Sequence, residues 1–466
     1  MKAAPEPDEP RARVLAWPAW RTGTNPYTAL LSDALEANGV AVEELSPRRA
    51  LAARDGVVHV HWPEAFLDRY GLPRAALQAA AQLAVLSCTR RRGNRVVWTV
   101  HNLGSHDRRH PRLEGWYLDR FAGLVDGWIS LSHAAIDPIV AAFPPLDARP
   151  RRVIPHGHYR RADAEPLTRS EARAQLDLPA DGAIVLSFGA LRDYKGIPDL
   201  IRAFRAFGAL RAVGEAGAVL RVVGEGDRAV VRACLAAAAG DPSVTITERF
   251  VPEPEVSAHF ASADLVALPY LRGLNSGAAL LALSCNRPVL VPDTPAFREL
   301  QAMVGREWVR TFEPPLRAGA LAAALDEVRD RTGCEKLDLT PFDLAGIAAS
   351  TASFYEEMAG ARPVTVTACF EPAAVVGGLE RSVQATVEPL RARGYGVRAL
   401  VNAARPSLTA SSLACASPVA STARLRGVVG AVRASDVVHL HAPTTARWSM
   451  RTVMVAAALR RRPVLT

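Results

Sequence analysis

Cysteine is scarce in this chain, and its spacing argues against a disulfide-stabilised fold. The 466 residues include six cysteines, which lie far apart and form no C-x-x-C motif. This spacing favours reduced thiols in a cytosol-like compartment over a disulfide framework. We therefore expect a cytoplasmic protein. The cysteines are Cys88, Cys234, Cys285, Cys334, Cys369 and Cys415.

Long hydrophobic runs are also missing. The chain begins with MKAAPEPDEPRAR, which is rich in proline and lacks the apolar stretch of a signal peptide. The longest apolar helix candidate, residues 75–88, is shorter than a bilayer-spanning helix and contains two glutamines. The sequence therefore predicts a soluble or peripheral protein.

Basic residues exceed acidic ones, but they are scattered rather than grouped in runs. The formal net charge is +9. No module that interleaves aromatic and basic residues is present, so we do not expect nucleic acid as a partner. Attraction to anionic lipid headgroups explains the charge better and predicts peripheral contact with the inner face of the membrane.

Short apolar runs alternate with helix-length segments along most of the chain. This alternation is typical of an α/β protein in which helices cover a parallel sheet. One series of strand candidates spans residues 14–157, and a second spans residues 183–293. The two series predict two Rossmann-like domains joined near residues 160–178. In the tail, residues 402–427 are predicted to form a long loop.

A pair of histidines occurs twice in the same setting. Residues 57–64 read VVHVHWPE, and residues 437–444 read VVHLHAPT. Histidines two residues apart share one face of a strand, but structural zinc needs four ligands, and no second pair has ligand spacing. We therefore interpret the repeat as a duplicated Rossmann unit and expect no metal site. The first pair would end its strand where open α/β sheets bind ligands.

A strand, a basic loop and a helix follow one another in residues 188–204, which read FGALRDYKGIPDLIRAF. The strand leaves through Gly189 into a loop that carries Arg192 and Lys195. Two cations beside a helix N-terminus form a receptor for a diphosphate. An exposed basic turn is the alternative interpretation.

A second helix start lies in the same half of the chain. Asn275, Ser276 and Gly277 follow a strand candidate and open an apolar helix. Ser276 or Asn275 can cap this helix, and its free amides could face a phosphate oxygen. Most such caps are only caps, but the shared domain with Lys195 favours a phosphate site.

Together these segments resemble a GT-B fold glycosyltransferase, similar to the retaining group-1 hexosyltransferases that use nucleotide-diphosphate sugars. The resemblance covers about residues 14–358, and residues 377–397 are similar to the start of a second such enzyme. The matching runs are FGALRDYKG, VVGEGD, RFVPEPEVSAHFASADLVALPY, NRPVLVPD, TVHN, SLSHAA and VIPHGHY.

The resemblance implies two Rossmann-like domains facing across a cleft. It places an acceptor domain at residues 11–160 and a donor-binding domain at residues 161–343. A crossover helix at residues 344–360 would return to the first domain, and residues 364–466 would form a partial second N-terminal domain. An incomplete sheet leaves an open edge, so we expect either a fragment of a longer fusion or an oligomer through this last segment.

The resemblance also assigns roles to residues of the cleft. Arg192 and Lys195 would bind the donor's diphosphate, together with the helix start at residues 275–277. Asn25 and Tyr27, in the loop before the first helix, would contact the donor and the acceptor.

The base and the acceptor side of the cleft come from the first domain. His101 would face the transferred sugar, and Glu64 is the second catalytic candidate. His106 and Asp107 are further candidates for the base that an inverting reaction needs. His61 and Asn102, at the ends of two strands, would line the acceptor side.

The chain departs from the family at two glutamates that many relatives carry eight residues apart. Gly273 and Leu281 occupy these positions, and Ala190 replaces the usual arginine of the phosphate loop, with Arg192 as its substitute. The sequence therefore leaves open whether the reaction retains or inverts the anomeric configuration.

The predicted function is transfer of a hexosyl group from a nucleotide-diphosphate sugar to a glycan or lipid-linked acceptor in cell-surface or exopolysaccharide synthesis. No acidic D-x-D motif is present, so we expect neither an obligatory metal nor a cofactor. A sugar-nucleotide epimerase on the same fold and a non-catalytic binding protein are the alternatives.

Overall fold

The computed structural model describes residues 10–20, 25–105, 108–160, 167–210, 217–329 and 336–360, together with five strands between residues 366 and 465. The chain divides into two compact units, residues 1–356 and residues 357–466. None of the described helices combines the length and the apolarity needed to cross a membrane.

The first half of the larger unit is a parallel sheet of six strands in the order β2-β1-β3-β4-β5-β6. Its strands are β1 (Ala12–Trp17), β2 (Val40–Glu44), β3 (Val57–Val60), β4 (Arg95–Val100), β5 (Gly127–Ser130) and β6 (Arg151–Val153). Its helices are α1 (Tyr27–Ala37), α2 (Pro47–Ala52), α3 (Leu72–Arg91), α4 (Pro111–Leu124) and α5 (Ile136–Ala142).

Both faces of this sheet are covered, which explains why its central strands are apolar throughout. All four residues of β3 are buried. Val58 and Val60 belong to the same hydrophobic core cluster as Trp98 and Phe121. His59 lies on the opposite face of β3, because successive side chains of a strand alternate.

The second half is another six-stranded parallel sheet, in the order β12-β11-β10-β7-β8-β9. Its strands are β7 (Ala183–Phe188), β8 (Ala218–Val223), β9 (Val244–Thr247), β10 (Leu265–Ala267), β11 (Val289–Pro292) and β12 (Val309–Phe312). Its helices are α6 (Arg169–Gln175), α7 (Ile197–Leu210), α8 (Arg228–Ala238), α9 (Glu253–Ser262), α10 (Gly277–Ser284), α11 (Pro295–Val304) and α12 (Ala318–Arg329). The sequence analysis identified the first five of these strands but not β12.

The long helix α13 (Leu344–Gly360) lies against the first sheet. The hydroxyl of Tyr355 hydrogen-bonds Nδ1 of His59 at 2.6 Å. Arg152, on β6, donates from Nη1 to the carbonyl oxygen of Ser350 at 3.0 Å. These two hydrogen bonds, one buried and one partly buried, attach α13 to the first half of the chain.

The smaller unit contains a parallel sheet in the order β15-β14-β13-β16-β17. Its strands are β13 (Val366–Phe370), β14 (Val397–Val401), β15 (Ser417–Ser421), β16 (Val437–His441) and β17 (Arg462–Leu465). The prediction that residues 402–427 form one long loop is therefore wrong, because they include β15. The helix predicted at residues 446–459 lies outside the described residues.

The backbone register of this sheet agrees with a duplication. His59 pairs with Ala16 on one side and with Val97 on the other. His439 pairs in the same way with Ala368 and with Val464. The histidine strands β3 and β16 thus occupy equivalent positions: each lies between the first strand of its unit and the next strand along the chain. The sheet of the smaller unit has β15 as an additional strand at its edge. The predicted α/β class with parallel sheets is confirmed.

Candidate active site

Two histidines meet where β3 and β4 end side by side. Nδ1 of His61 lies 3.1 Å from Nε2 of His101. In a neutral pair one ring donates this hydrogen bond and the other accepts it. Burial, followed by the neighbouring imidazoles, holds the pKa of both rings well below the ordinary value. The structure thus brings together two predicted site residues as a neutral pair.

Aromatic rings enclose this histidine pair. Tyr27 stacks on His156 with ring centroids 3.8 Å apart, and its edge faces His61 and His101. Trp62 stacks on His101 at 4.4 Å. Burial lowers the pKa of His156 to about 4, so this ring is also neutral at physiological pH. Tyr27 was predicted to lie in the cleft, whereas Trp62 and His156 were not assigned a role.

His59, the other half of the repeated pair, is occupied on both ring nitrogens. Nε2 lies 2.7 Å from Oγ1 of Thr99, and Nδ1 bonds Tyr355 of α13. Burial lowers the pKa of His59 to about 3. This histidine therefore joins α13 to the sheet and is not available as a base. Within the described ranges, no group of three or more His, Cys, Asp or Glu side chains could hold a metal ion.

Glu64 is a buried carboxyl group in the loop after β3. It is 5% exposed. Burial raises its pKa to about 8, and the negative charge of Glu114 acts in the same direction. A hydrogen bond with Asn102 favours the ionised form and opposes this shift. A carboxyl group with a pKa near neutral can exchange a proton during turnover, which suits a general base.

Replacing Glu64 with glutamine is expected to stabilise the fold at alkaline pH. The folded pKa of about 8 exceeds the ordinary value of 4.5, so the folded protein keeps a proton that the unfolded chain has already released. The free energy of unfolding of the wild type therefore falls as the pH rises through this window. Thermal unfolding of both proteins between pH 5 and pH 9 should show the variant gaining several kcal/mol. A pH-independent difference would contradict the raised pKa.

The loop after β7 holds Lys195 in a half-buried position. Gly189 has a φ of 101°, and a Cβ added there would lie 3.1 Å from Nζ of Lys195. Burial lowers the pKa of Lys195 to about 8, and the charge of Arg192 contributes. The ammonium group is therefore held against the glycine at the end of the strand, in a partly desolvated state that favours binding of an anion.

The residues around Lys195 explain the shape of this loop. Gly196 has a φ of 62°, and a Cβ there would collide with the carbonyl oxygen of Pro269. A glycine is therefore required directly after the lysine. Arg192 donates from Nη1 to Oδ2 of Asp227 at 2.9 Å. The second predicted cation thus links the loop to the residue preceding α8.

Helix α10 begins beside the same loop. Ser276 is its N-cap and accepts a hydrogen bond from the amide of Ala279 at 3.1 Å. The hydroxyl of Ser276 donates to that of Tyr270 at 3.4 Å, and the Tyr270 ring centroid lies 5.9 Å from Nζ of Lys195. Nδ2 of Asn275 is buried and has no hydrogen-bond partner among the described residues. A buried donor without a partner is available to a ligand or to an ordered water.

The first half of the chain reaches this helix start through Tyr159. Its hydroxyl lies 3.2 Å from the position of a Cβ on Gly277 and donates to Oδ1 of Asn25 at 3.2 Å. The same Asn25 oxygen accepts the amide of Tyr27 at 3.0 Å. The predicted cleft residues Asn25 and Tyr27 therefore lie next to the predicted donor helix.

A second contact between the halves was not predicted. Glu299 of α11 accepts hydrogen bonds from the amides of His133 and Ala134, both at 2.9 Å. These amides precede α5, and its N-terminal dipole favours a carboxylate there. The only sequence signal was the SLSHAA run, which suggested a strand end but not its partner.

The positions of the missing family glutamates carry no other acid. Gly273 lies in an exposed loop, and Leu281 packs against the core of the second half. His106 and Asp107, the two further base candidates, lie outside the described residues. Of the predicted base candidates, Glu64 and His101 therefore lie within the described residues.

Comparison with known proteins identifies the family. The description "Glycosyl transferases group 1" matches residues 182–330. A GDP-mannose:glycolipid 4-beta-D-mannosyltransferase from Xanthomonas campestris pv. campestris is 34% identical over 310 residues, which is 66% of this chain and 80% of that protein. The match is longer than either half of the larger unit.

Solved structures share the fold at low sequence identity. One, described as trehalose-6-phosphate from E. coli bound with UDP-2-fluoro glucose, is 12% identical, with a TM-score of 0.52 over 74% of this chain and 99% of that chain. A glycosyltransferase from Rickettsia africae is 13% identical, with a TM-score of 0.50 over 74% and 98% of the two chains. Both likenesses concern the fold alone. This chain is a GT-B glycosyltransferase of the family that includes the Xanthomonas GDP-mannose:glycolipid mannosyltransferase.

Proposed function

We propose that this chain transfers mannose from GDP-mannose to a lipid-linked glycan, as a step of bacterial polysaccharide synthesis at the inner face of the membrane. The observation that carries the proposal is the 34% identity, over 310 residues, with a protein that bears this activity in its name. The cleft supports it, because one side holds a desolvated cation and a helix start, and the other side holds a titratable carboxyl group.

The donor side would stabilise the departing diphosphate. Lys195 supplies a positive charge that is partly desolvated, because the side chain is half-buried. The start of α10 adds the positive end of a helix dipole, and Nδ2 of Asn275 adds a donor without a partner in the described structure. Charge that develops on the phosphate oxygens during bond cleavage would meet these three groups.

The acceptor side would supply the base of an inverting reaction. The name of the Xanthomonas relative specifies a β-linked mannose in the product. GDP-mannose carries its sugar in α linkage, so formation of a β-mannoside requires attack from the opposite face. In this step Glu64 takes the proton of the acceptor hydroxyl, the acceptor oxygen bonds to the anomeric carbon, and GDP leaves with the electron pair of the broken bond. Asn102 holds the carboxylate. The neutral pair of His61 and His101 orients the sugar by hydrogen bonding.

GDP-mannose is expected to raise the melting temperature of the protein. A ligand that binds only the folded state stabilises it by mass action, by about 2.7 kcal/mol at roughly a hundredfold excess over Kd. For a chain of this size, we expect a shift of about 2–4 °C. A thermal-shift series with GDP-mannose, GDP-glucose, UDP-glucose and UDP-galactose measures this preference.

Product analysis completes the test of the proposed function. The protein is incubated with labelled GDP-mannose and a membrane lipid extract. Transfer of the mannose to a lipid-linked acceptor should move the label into the organic phase on extraction. An isomerised sugar nucleotide without transfer would favour the epimerase alternative. A thermal shift larger with UDP-sugars than with GDP-mannose would contradict the proposed donor.

A further inference from the structure

Helix α3 has a composition that is unusual for a surface helix. Residues 71–94, which include α3 and its flanks, contain no aspartate or glutamate and four arginines. The arginines lie near the two ends, at position 74 and at positions 90–92, and the stretch between them is built mainly from alanine and leucine. A solvent-facing helix ordinarily carries charged residues of both signs along its outer face.

Both sides of α3 are apolar, although only one side is buried. Ala75, Ala79 and Leu86 face the core of the first domain. On the other side Leu72 is 53% exposed and Leu77 is 71% exposed, and Ala80, Ala81 and Ala84 are exposed with them. Packing within the larger unit does not account for this outer stripe, and exposed apolar patches of this kind mark interaction surfaces.

The helices on either side of α3 extend the same surface. Helices α2 and α4 both pack against α3. Leu51 of α2 is exposed. On α4 the exposed Trp116 carries the guanidinium of Arg120 over its ring, 4.7 Å from the centroid. Tryptophan paired with arginine is frequent where a protein meets the headgroup region of a bilayer.

The exposed charge on these three helices is almost entirely positive. Asp119 is their one exposed carboxylate, because Glu114 is buried. Six arginines on these helices are exposed, and one of them, Arg49, forms an ion pair with Glu43 of β2. The six are Arg48, Arg49, Arg74, Arg91, Arg112 and Arg120.

The surface adjoins the acceptor side of the cleft. Helix α3 begins at Leu72, a few residues after Glu64, and the exposed Leu103 follows His101 closely. Nε2 of His110 hydrogen-bonds the carbonyl oxygen of Tyr70 at 2.9 Å, which ties the start of α4 to the start of α3. These helix starts lie at the carboxyl edge of the sheet, where the site is.

We propose that the outer face of α2, α3 and α4 binds the surface of a bilayer that contains anionic phospholipid. Leucine and tryptophan would enter the headgroup boundary, while the arginines pair with phosphates. A second copy of the chain is a poorer occupant, because a two-fold contact through this face would place like-charged arginines against each other. The inference rests on this surface alone. Only its consequence, delivery of a lipid-linked acceptor to the cleft, rests on the proposed function.

Vesicle flotation with the full chain tests the inference. Wild-type protein is expected to float with vesicles of equal parts phosphatidylglycerol and phosphatidylcholine, and to bind pure phosphatidylcholine much more weakly. Leu77→Glu should reduce binding to the mixed vesicles by about tenfold or more, because it removes a leucine contact and adds a repelled charge. Leu235→Glu is the matched control, because Leu235 is 55% exposed on α8 of the second domain. Its vesicle binding should equal that of the wild type.

The result that overturns the inference differs from the one that overturns the proposed function. Equal flotation of Leu77→Glu and wild type, or no binding to the mixed vesicles, would disprove the bilayer surface. A wild-type dimer that Leu77→Glu converts to a monomer, without a change in flotation, would assign the face to a second copy and also overturn it. A GDP-mannose thermal shift recorded on the same samples monitors folding. Loss of that shift in wild type would count against the proposed donor and leave the vesicle result standing.

Discussion

Glu64→Gln is expected to lower kcat by about a thousandfold, because general-base catalysis contributes roughly two to four orders of magnitude. The amide keeps the size of the side chain and its contact with Asn102, but it cannot accept the acceptor's proton. Binding of GDP-mannose should persist, since the role proposed for Glu64 is on the acceptor side. Steady-state rates with labelled GDP-mannose and a lipid-linked acceptor measure the loss.

Asp68→Asn is the control for this variant. Oδ1 of Asp68 accepts a hydrogen bond from the amide of Arg109 at 3.0 Å in the wild type, and an asparagine oxygen can do the same. The charge of Asp68 also raises the pKa of Glu64, so the rate should change little above that pKa, where Glu64 is ionised in both proteins. The wild-type kcat/KM should rise by about tenfold per pH unit up to the Glu64 pKa of about 8, because only the ionised carboxylate acts as the base. A glutamine variant with wild-type kcat, or one that keeps this pH dependence, would show that another group removes the proton.

Lys195→Ala is expected to reduce kcat/KM for GDP-mannose by about a hundredfold to a thousandfold, which is typical for loss of one preorganised charge-stabilising group. The ammonium group lies beside Gly189 and 5.9 Å from the ring centroid of Tyr270, whose hydroxyl accepts a hydrogen bond from Ser276 at the start of α10. Water that enters its place screens the diphosphate charge without being oriented toward it. Initial rates at several donor concentrations, with GDP-mannose titrations for binding, separate the loss of affinity from the loss of rate.

Lys336→Ala is the matched control, because Lys336 is an exposed lysine of the same half of the chain. It should keep wild-type kinetics and a wild-type GDP-mannose thermal shift. If Lys195→Ala bound and turned over the donor as well as this control does, Lys195 would not be part of the diphosphate site. Lys195→Arg should restore little, because a planar guanidinium does not place its charge where the compact ammonium group lies.

Local sequence patterns predicted much of the fold. Apolar runs such as VVHV and AIVLSF are short and continuous because parallel strands are buried on both faces, and this signal needs no knowledge of distant residues. The lysine-glycine step at Lys195 was also readable, since the turn requires a glycine where φ is positive. The resemblance to GT-B glycosyltransferases rested on such runs, and the comparisons confirm it. Strands β12 and β15 were missed because short strands with mixed composition carry little local signal.

The sequence by itself thus determined the class of fold and the glycosyltransferase family, and it predicted a duplication of the histidine strand. Only the tertiary structure shows which histidine of the first pair belongs to the candidate site. His59 is hydrogen-bonded to Tyr355, on a helix almost 300 residues later in the chain, whereas His61 is hydrogen-bonded to His101. The tertiary structure also placed Tyr159 over Gly277 and raised the pKa of Glu64. Burial and hydrogen bonding between segments far apart in the chain set these properties, and neither composition nor periodicity records them.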